Sequence, residues 1–196
     1  MTSHHTRVLT WVFAAVMTCI LSGCGFASVS PFVSGADVAY DAKLVGTWVD
    51  PDGKESAVIV REGDGYDITY TEDSGKTGRF HGVLGRLGNR RVLDVVPKDL
   101  SEDKGALYRS LLVPTHGVIV IDFADNNLTM RVLKPEEIKK LLKARPSLIA
   151  HTLVKGGVEE EIGVLLTAPT PDVRKFLSDI IDRPGMLDDP DTWRRK

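Results

Sequence analysis

The stretch GTWVDPDGKESAVIVREGDGYDITYTE, residues 46–72, decides the fold of this chain. In its last part, YDITYTE, the apolar residues Tyr66, Ile68 and Tyr70 alternate with polar ones. This period-two pattern is typical of a β-strand that buries one face. The sequences DPDG and GDG separate this strand from two earlier apolar segments, and proline and glycine favour tight turns. The stretch therefore predicts three consecutive strands joined by turns.

The same pattern continues after this stretch, and the first strand begins two residues before it. The expected strands are residues 44–49, 54–62, 66–72, 77–87, 90–97, 110–114, 117–124 and 128–133. Short strands that are mostly joined by tight turns predict an antiparallel meander. Eight strands in this order can close into an up-and-down barrel, which removes exposed sheet edges.

Two helices are predicted after these strands. Residues 135–145 begin with a proline followed by two glutamates, which suit the first turn of a helix. Residues 170–182 carry an apolar stripe at the spacing of a core-facing helix. The stripe consists of Val173, Phe176, Leu177 and Ile180. We expect both helices to pack on the barrel or close it, and the segments 147–154 and 162–168 to add one or two strands. The predicted fold class is mainly β with two helices (α+β).

The first predicted strand contains Gly46 and Trp48 in the sequence GTW. A Gly-x-Trp sequence at the head of an antiparallel meander resembles the lipocalin and calycin pattern. The resemblance implies a lipocalin-like barrel whose closed end is filled by Trp48. It also implies a basic residue of the last strand that lies across the Trp48 ring. On the strand order predicted here, that residue is Arg131.

The N-terminal 23 residues have the organisation of a secretory signal peptide. Arg7 precedes an uncharged apolar segment, residues 8–20, that is shorter than the roughly 20 residues of a membrane-spanning helix. The sequence Leu-Ser-Gly-Cys that ends at Cys24 resembles a bacterial lipobox. This resemblance implies lipidation of Cys24 and cleavage before it, and several acyl chains anchor a protein stably. A plain signal peptide or an uncleaved anchor remains the alternative.

These patterns divide the chain into four segments. They are a signal peptide at 1–23, a lipidated cysteine and flexible tether at 24–40, a barrel domain with two helices at 41–183, and a C-terminal tail at 184–196. The tether is predicted because its sequence is rich in glycine, serine and alanine and has no periodicity. In Gram-negative lipoproteins, an aspartate directly after the lipidated cysteine resembles a retention signal for the inner membrane. This chain has Gly25 at that position, so the resemblance implies the outer membrane if the host has one.

The mature chain also resembles a group of uncharacterised bacterial lipoproteins. The shared features are the GTW start, LD…P within VLDVVP, the segment LVPTH, and LTAPT before a helix. The resemblance covers most of the mature chain and implies no particular activity.

The charge of the chain argues against nucleic-acid binding. The sequence has 25 lysines and arginines against 27 aspartates and glutamates, a net charge of −2. Removal of the leader, whose one charged side chain is Arg7, leaves 24 against 27, or −3. Binding to nucleic acid needs clustered basic charge, and here the basic residues are scattered.

Catalytic and metal-binding patterns are absent from the sequence. His81, His116 and His151 have no metal-ligand spacing. A set of Ser110, His116 and Asp122 can be named, but no Gly-x-Ser-x-Gly nucleophile elbow is present. No dinucleotide, phosphate-loop or CxxC motif occurs, so no cofactor is expected. We therefore expect no enzyme activity and no metal site.

Asp94 and Asp122 are notable because each lies within an apolar strand. Each either faces outward, with or without a salt bridge, or orients a ligand inside the barrel. Two function classes remain. One is a structural or assembly lipoprotein that acts through envelope protein partners. The other is a lipocalin-like binder of a small apolar or amphipathic ligand, for which no binding residue is assigned.

Overall fold

Eight antiparallel strands form a closed barrel in the computed structural model, which describes residues 25–98, 112–155 and 162–196. The barrel strands are β2 (Gly46–Val49), β3 (Ser56–Glu62), β4 (Gly65–Thr71), β5 (Thr77–Leu87), β6 (Arg90–Pro97), β7 (Gly117–Ala124), β8 (Asn127–Val132) and β11 (Asp191–Arg195). From β2 to β8 each strand pairs with the next along the chain, and β11 closes the ring between β8 and β2. The predicted fold class, mainly β with a lipocalin-like barrel and two helices, is confirmed.

The period-two sequence YDITYTE forms a strand, β4, that buries one face as predicted. Tyr66 is fully buried and Ile68 is 7% exposed, and both belong to the core inside the barrel. Tight turns connect β3 to β4 and β5 to β6, and they contain Gly63 at φ +58° and Gly88 at φ +57°. This left-handed backbone conformation strongly favours glycine, so both hairpins are encoded locally.

The strand that closes the barrel, β11, lies in the segment that the sequence analysis assigned to a C-terminal tail. The domain therefore extends beyond residue 183 and includes Trp193, which is only 1% exposed. The strand predicted at 110–114 does not take this place. Residues 112–114 form no strand, and residues 110 and 111 lie outside the described part of the chain. Residues 191–195 form a strand because their backbone pairs with β2 on one side and with β8 on the other.

A second layer covers part of the outer surface of the barrel. It contains a small sheet in which β10 (Ile162–Leu166) pairs in parallel with β1 (Phe26–Ser28) and antiparallel with β9 (His151–Lys155). The helices α1 (Pro135–Ala144) and α2 (Thr170–Ile180) complete the layer. Its core includes outward-facing barrel residues, namely Leu87, Val92, Val118 and Val120. The helices therefore pack on the outside of the barrel.

The apolar stripe of α2 is buried in this second core, as predicted. Val173, Leu177 and Ile180 have no exposed surface, and Phe176 is 6% exposed. Thr170 is the first residue of the helix, and Pro169 takes the N-cap position. A proline before the first turn fits this place, since its missing N–H would have no partner there.

The segment predicted as a flexible tether, residues 24–40, is part of the fold from β1 onward. Phe32 is fully buried and Val33 is 4% exposed. Their backbone N–H groups donate hydrogen bonds to Oδ2 of Asp94, at 2.7 and 3.2 Å. The segment lacks periodicity because a three-residue parallel strand and one distant carboxylate hold it, and neither leaves a local pattern.

We predict that Trp193→Ala lowers the free energy of unfolding by about 3–5 kcal/mol, the usual loss for a large buried aromatic side chain. The matched control is Thr192→Ala, because Thr192 is the preceding residue of β11 and is exposed. The control is expected to change stability by less than about 1 kcal/mol. Denaturant titration measures both values, and equal small losses would contradict the closing role of β11.

Candidate functional site

The end of the barrel at which β2 begins is filled by Trp48. This side chain is 1% exposed, and its Nε1 donates a hydrogen bond to the carbonyl oxygen of Leu44 at 2.9 Å. Leu44 ends a short 3-10 helix, Ala42–Leu44, and is itself fully buried in the barrel core. The indole is therefore fixed by both packing and a hydrogen bond.

Arg195 lies over the Trp48 ring. Its guanidinium carbon is 4.4 Å from the ring centroid, within the range of a cation–π contact. Nη1 donates to the carbonyl oxygen of Val45 at 2.6 Å, and Nη2 donates to that of Lys43. Gly46 has φ +148°, and a Cβ there would overlap Nη1 of Arg195. Glycine, tryptophan and arginine thus form one interlocked unit.

The arginine in this unit is not Arg131, which the sequence analysis had assigned to it. Arg131 pairs with Val120 on the outer face of the barrel, because strand alternation points its neighbour Met130 inward. The prediction of Arg131 is wrong because β11, and not β8, is the last strand of the barrel. A sequence signal for Arg195 did exist, since Trp193 and Arg195 alternate with polar residues in DTWRR.

Large side chains fill the interior of the barrel. The core side chains that are less than 2% exposed include Trp48, Tyr66, Ile121, Leu128 and Trp193. The packing is equally close around Gly82 of β5. A Cβ at that glycine would lie 2.7 Å from Cδ1 of Ile68 and 3.2 Å from Cδ1 of Leu93. A methyl group at this position would require the Ile68 side chain to shift.

Toward the opposite end of the barrel, two carboxylates meet two aromatic side chains. The Tyr70 hydroxyl donates to Oε2 of Glu55 at 2.8 Å, and Nε1 of Trp193 donates to Oδ2 of Asp191 at 2.7 Å. The two rings stack with their centroids 6.2 Å apart. Burial raises the pKa of both carboxyl groups, and the nearby charge of Asp50 raises each pKa further. Burial also raises the pKa of Tyr70, and the hydrogen bond to Glu55 adds to this shift.

Asp94 faces the outer layer rather than a ligand cavity. It is 3% exposed, and besides the two backbone N–H groups of the N-terminal segment it contacts His116, with Nδ1 2.7 Å from Oδ1. His116 also exchanges two backbone hydrogen bonds with Ser28, at 3.0 and 2.8 Å. Asp94 is therefore a structural connection between β6 and the N-terminal segment.

The remaining sequence candidates are not brought together. Asp122 is exposed, Ser110 lies outside the described residues, and His116 contacts Asp94 instead. His81 contacts Glu62, with Nδ1 2.9 Å from Oε2. Nδ1 of His151 lies 2.8 Å from the backbone carbonyl oxygen of Ile149. Among the described residues, no group of histidine, cysteine, aspartate and glutamate side chains could hold a metal ion.

The predicted lipidation residue, Cys24, lies immediately before the first described residue. Within the described ranges, no helix is long and apolar enough to cross a membrane. No family model, no curated protein and no solved structure matches this chain. The likeness to lipocalins therefore depends on the strand order and on the unit formed by Gly46, Trp48 and Arg195.

We expect Arg195→Ala to lower the free energy of unfolding by about 2 kcal/mol or more, because it removes charge-assisted hydrogen bonds and a cation–π contact. Arg194→Ala is the matched control, since the neighbouring Arg194 is exposed on the other face of β11. Its expected effect is within about 0.5 kcal/mol. Equal losses for the two variants in denaturant titration would show that Arg195 does not stabilise the closed end.

The raised pKa of Glu55 predicts a pH-dependent effect of Glu55→Gln. The folded state holds this proton more tightly than the unfolded chain, in which the pKa has its ordinary value of 4.5. The stability from this group is fully present below that value and is lost as the pH rises through the folded pKa. Glutamine stays neutral and can still accept the hydrogen bond from Tyr70. The variant should therefore be more stable than the wild type at neutral pH, and the difference should vanish in acid.

Denaturant titration between about pH 4 and pH 7 measures this difference. Asp64→Asn provides the control, because it removes one negative charge from the exposed turn between β3 and β4. Asp64→Asn should not show the pH-dependent gain in stability that is expected of Glu55→Gln. If the wild type and Glu55→Gln lost stability in parallel across this range, ionisation of Glu55 would have no cost in the folded state.

Proposed function

We propose that this protein is a lipid-anchored lipoprotein of the bacterial cell envelope, without enzymatic activity, that acts through protein partners. The observation that carries the proposal is the filled barrel. A lipocalin-like binder needs an open apolar interior, because a ligand site must enclose most of its ligand. Here Trp48, Trp193 and Tyr66 occupy that space, and each is at most 1% exposed. A filled barrel is instead a rigid scaffold whose outer surface is available for contacts.

The anchor is supported by the position of Cys24 relative to the fold. The lipobox-like sequence ends at this cysteine, and the first strand begins two residues later, at Phe26. Cleavage before Cys24 would remove the leader and keep the whole described domain. The envelope location follows from the anchor. Gly25 after the cysteine favours the outer membrane, on its periplasmic face, in a Gram-negative cell.

Binding of a small apolar ligand in the barrel is the alternative function. It would require the interior to open, with displacement of residues such as Trp193 and Ile121. Removing such side chains from a packed core costs several kcal/mol each. A ligand would have to offset that loss, so the cost of opening the barrel would lower its apparent affinity.

Mass spectrometry of the full chain, expressed in a bacterial host and purified from its membranes, tests both parts of the proposal. We predict that the wild type carries an acylated Cys24 as its first residue. Cys24→Ala should lose the lipid and leave the membrane fraction. Cys19→Ala is the matched control, because Cys19 lies in the predicted leader and its loss should leave the lipid in place.

Lipid on the Cys24→Ala protein, or none on the wild type, would disprove the anchor. Native mass spectrometry of the same preparation should show the lipidated chain without a further small molecule. An apolar molecule bound at one copy per chain would instead support the lipocalin-like function.

A further inference from the structure

The link between Cys24 and the fold is very short. Only Gly25 separates this cysteine from Phe26, which pairs with Val164 in the small sheet. The link is itself held, because the carbonyl oxygen of Gly25 accepts a hydrogen bond from the backbone N–H of Val164 at 3.1 Å. Two residues of extended chain span at most about 7 Å. A lipid on Cys24 would therefore keep this end of the sheet against the bilayer.

Apolar side chains are exposed at the same end of the sheet. Phe26, Val164 and Leu153 form one row across β1, β10 and β9. Val164 is buried and Phe26 is partly buried against the outer core, so the exposed apolar surface at this end belongs to β9. Leu153 is 41% exposed, and the next residue, Val154, is 37% exposed on the opposite face of the edge strand. Adjacent strands lie about 4.8 Å apart, so the row places Leu153 about 10 Å from the chain next to the anchor.

From these two observations we propose that this end of the sheet, the anchor end (Phe26, Leu153 and Val154), rests on the membrane surface. The inference depends on the proposed lipidation of Cys24. The short link holds the anchor end at the bilayer, and the exposed side chains gain free energy by leaving water there. The membrane itself is thus the partner of this surface, and the anchor gives the domain an orientation as well as a location.

Site-directed spin labelling of the lipidated full chain tests the inference. The mature protein has no free thiol when Cys24 is acylated, so a cysteine at Val154→Cys carries the only label. Val58→Cys is the matched control, because Val58 lies on the outer face of β3 and is 43% exposed. The proteins are reconstituted into vesicles of phosphatidylethanolamine and phosphatidylglycerol. We expect the label at position 154 to lose accessibility to a water-soluble nickel chelate, and the label at 58 to keep it.

If the label at position 154 stayed as accessible as that at 58 on a chain with confirmed lipid, the membrane contact would be disproved and the anchor would stand. A wild-type chain without lipid would disprove the anchor and this inference together. A flexible Gly-Ser spacer of about 20 residues, inserted between Gly25 and Phe26, tests the cause. It should restore nickel accessibility at position 154, and protection that persisted would contradict the role of the short link.

Discussion

The pairing of β11 with both β2 and β8 is the interaction on which the rest of the structure depends. It turns an open sheet into a barrel, so no barrel strand presents a free edge. It also brings in two side chains that the other strands do not supply. Trp193 completes the interior core, and Arg195 covers Trp48 and bonds the backbone ahead of Gly46. Without this strand, both the core and the closed end would be incomplete.

The barrel and its outer layer have separate apolar cores, and buried polar contacts help to join them. Asp94 lies on the barrel, and the N–H groups of Phe32 and Val33 and the ring of His116 surround its carboxylate. A buried carboxylate is tolerated where several donors satisfy it. Because these contacts are specific in direction, they fix where the N-terminal segment runs across the barrel, which apolar packing alone would not do. The orientation of β1, and hence of the chain before it, follows from this connection.

The sequence predicted those parts of the fold whose signals are local. The bounds of β5, β6 and β7 agree with the prediction because alternation and turn residues mark them, and the stripe of α2 shows its buried face directly. β1 and β11 were missed because three to five residues carry too little periodicity, and distant partners impose their strand state. For the same reason Gly46 and Trp48 were identified from the sequence, whereas the alternation around Arg195 is too short to assign a strand by itself.

The closing contact also determines when the barrel can form. Arg195 and Val45 are 150 residues apart in sequence, so the chain must be synthesised through residue 195 before the contact between them exists. Contacts of such long range slow folding, because the loop between them must be closed first. Until then one edge of β2 and one edge of β8 have no partner, and the barrel stays open. Closure of the barrel is therefore a late step of folding, and the two free strand edges of the open sheet are exposed to other chains until it occurs.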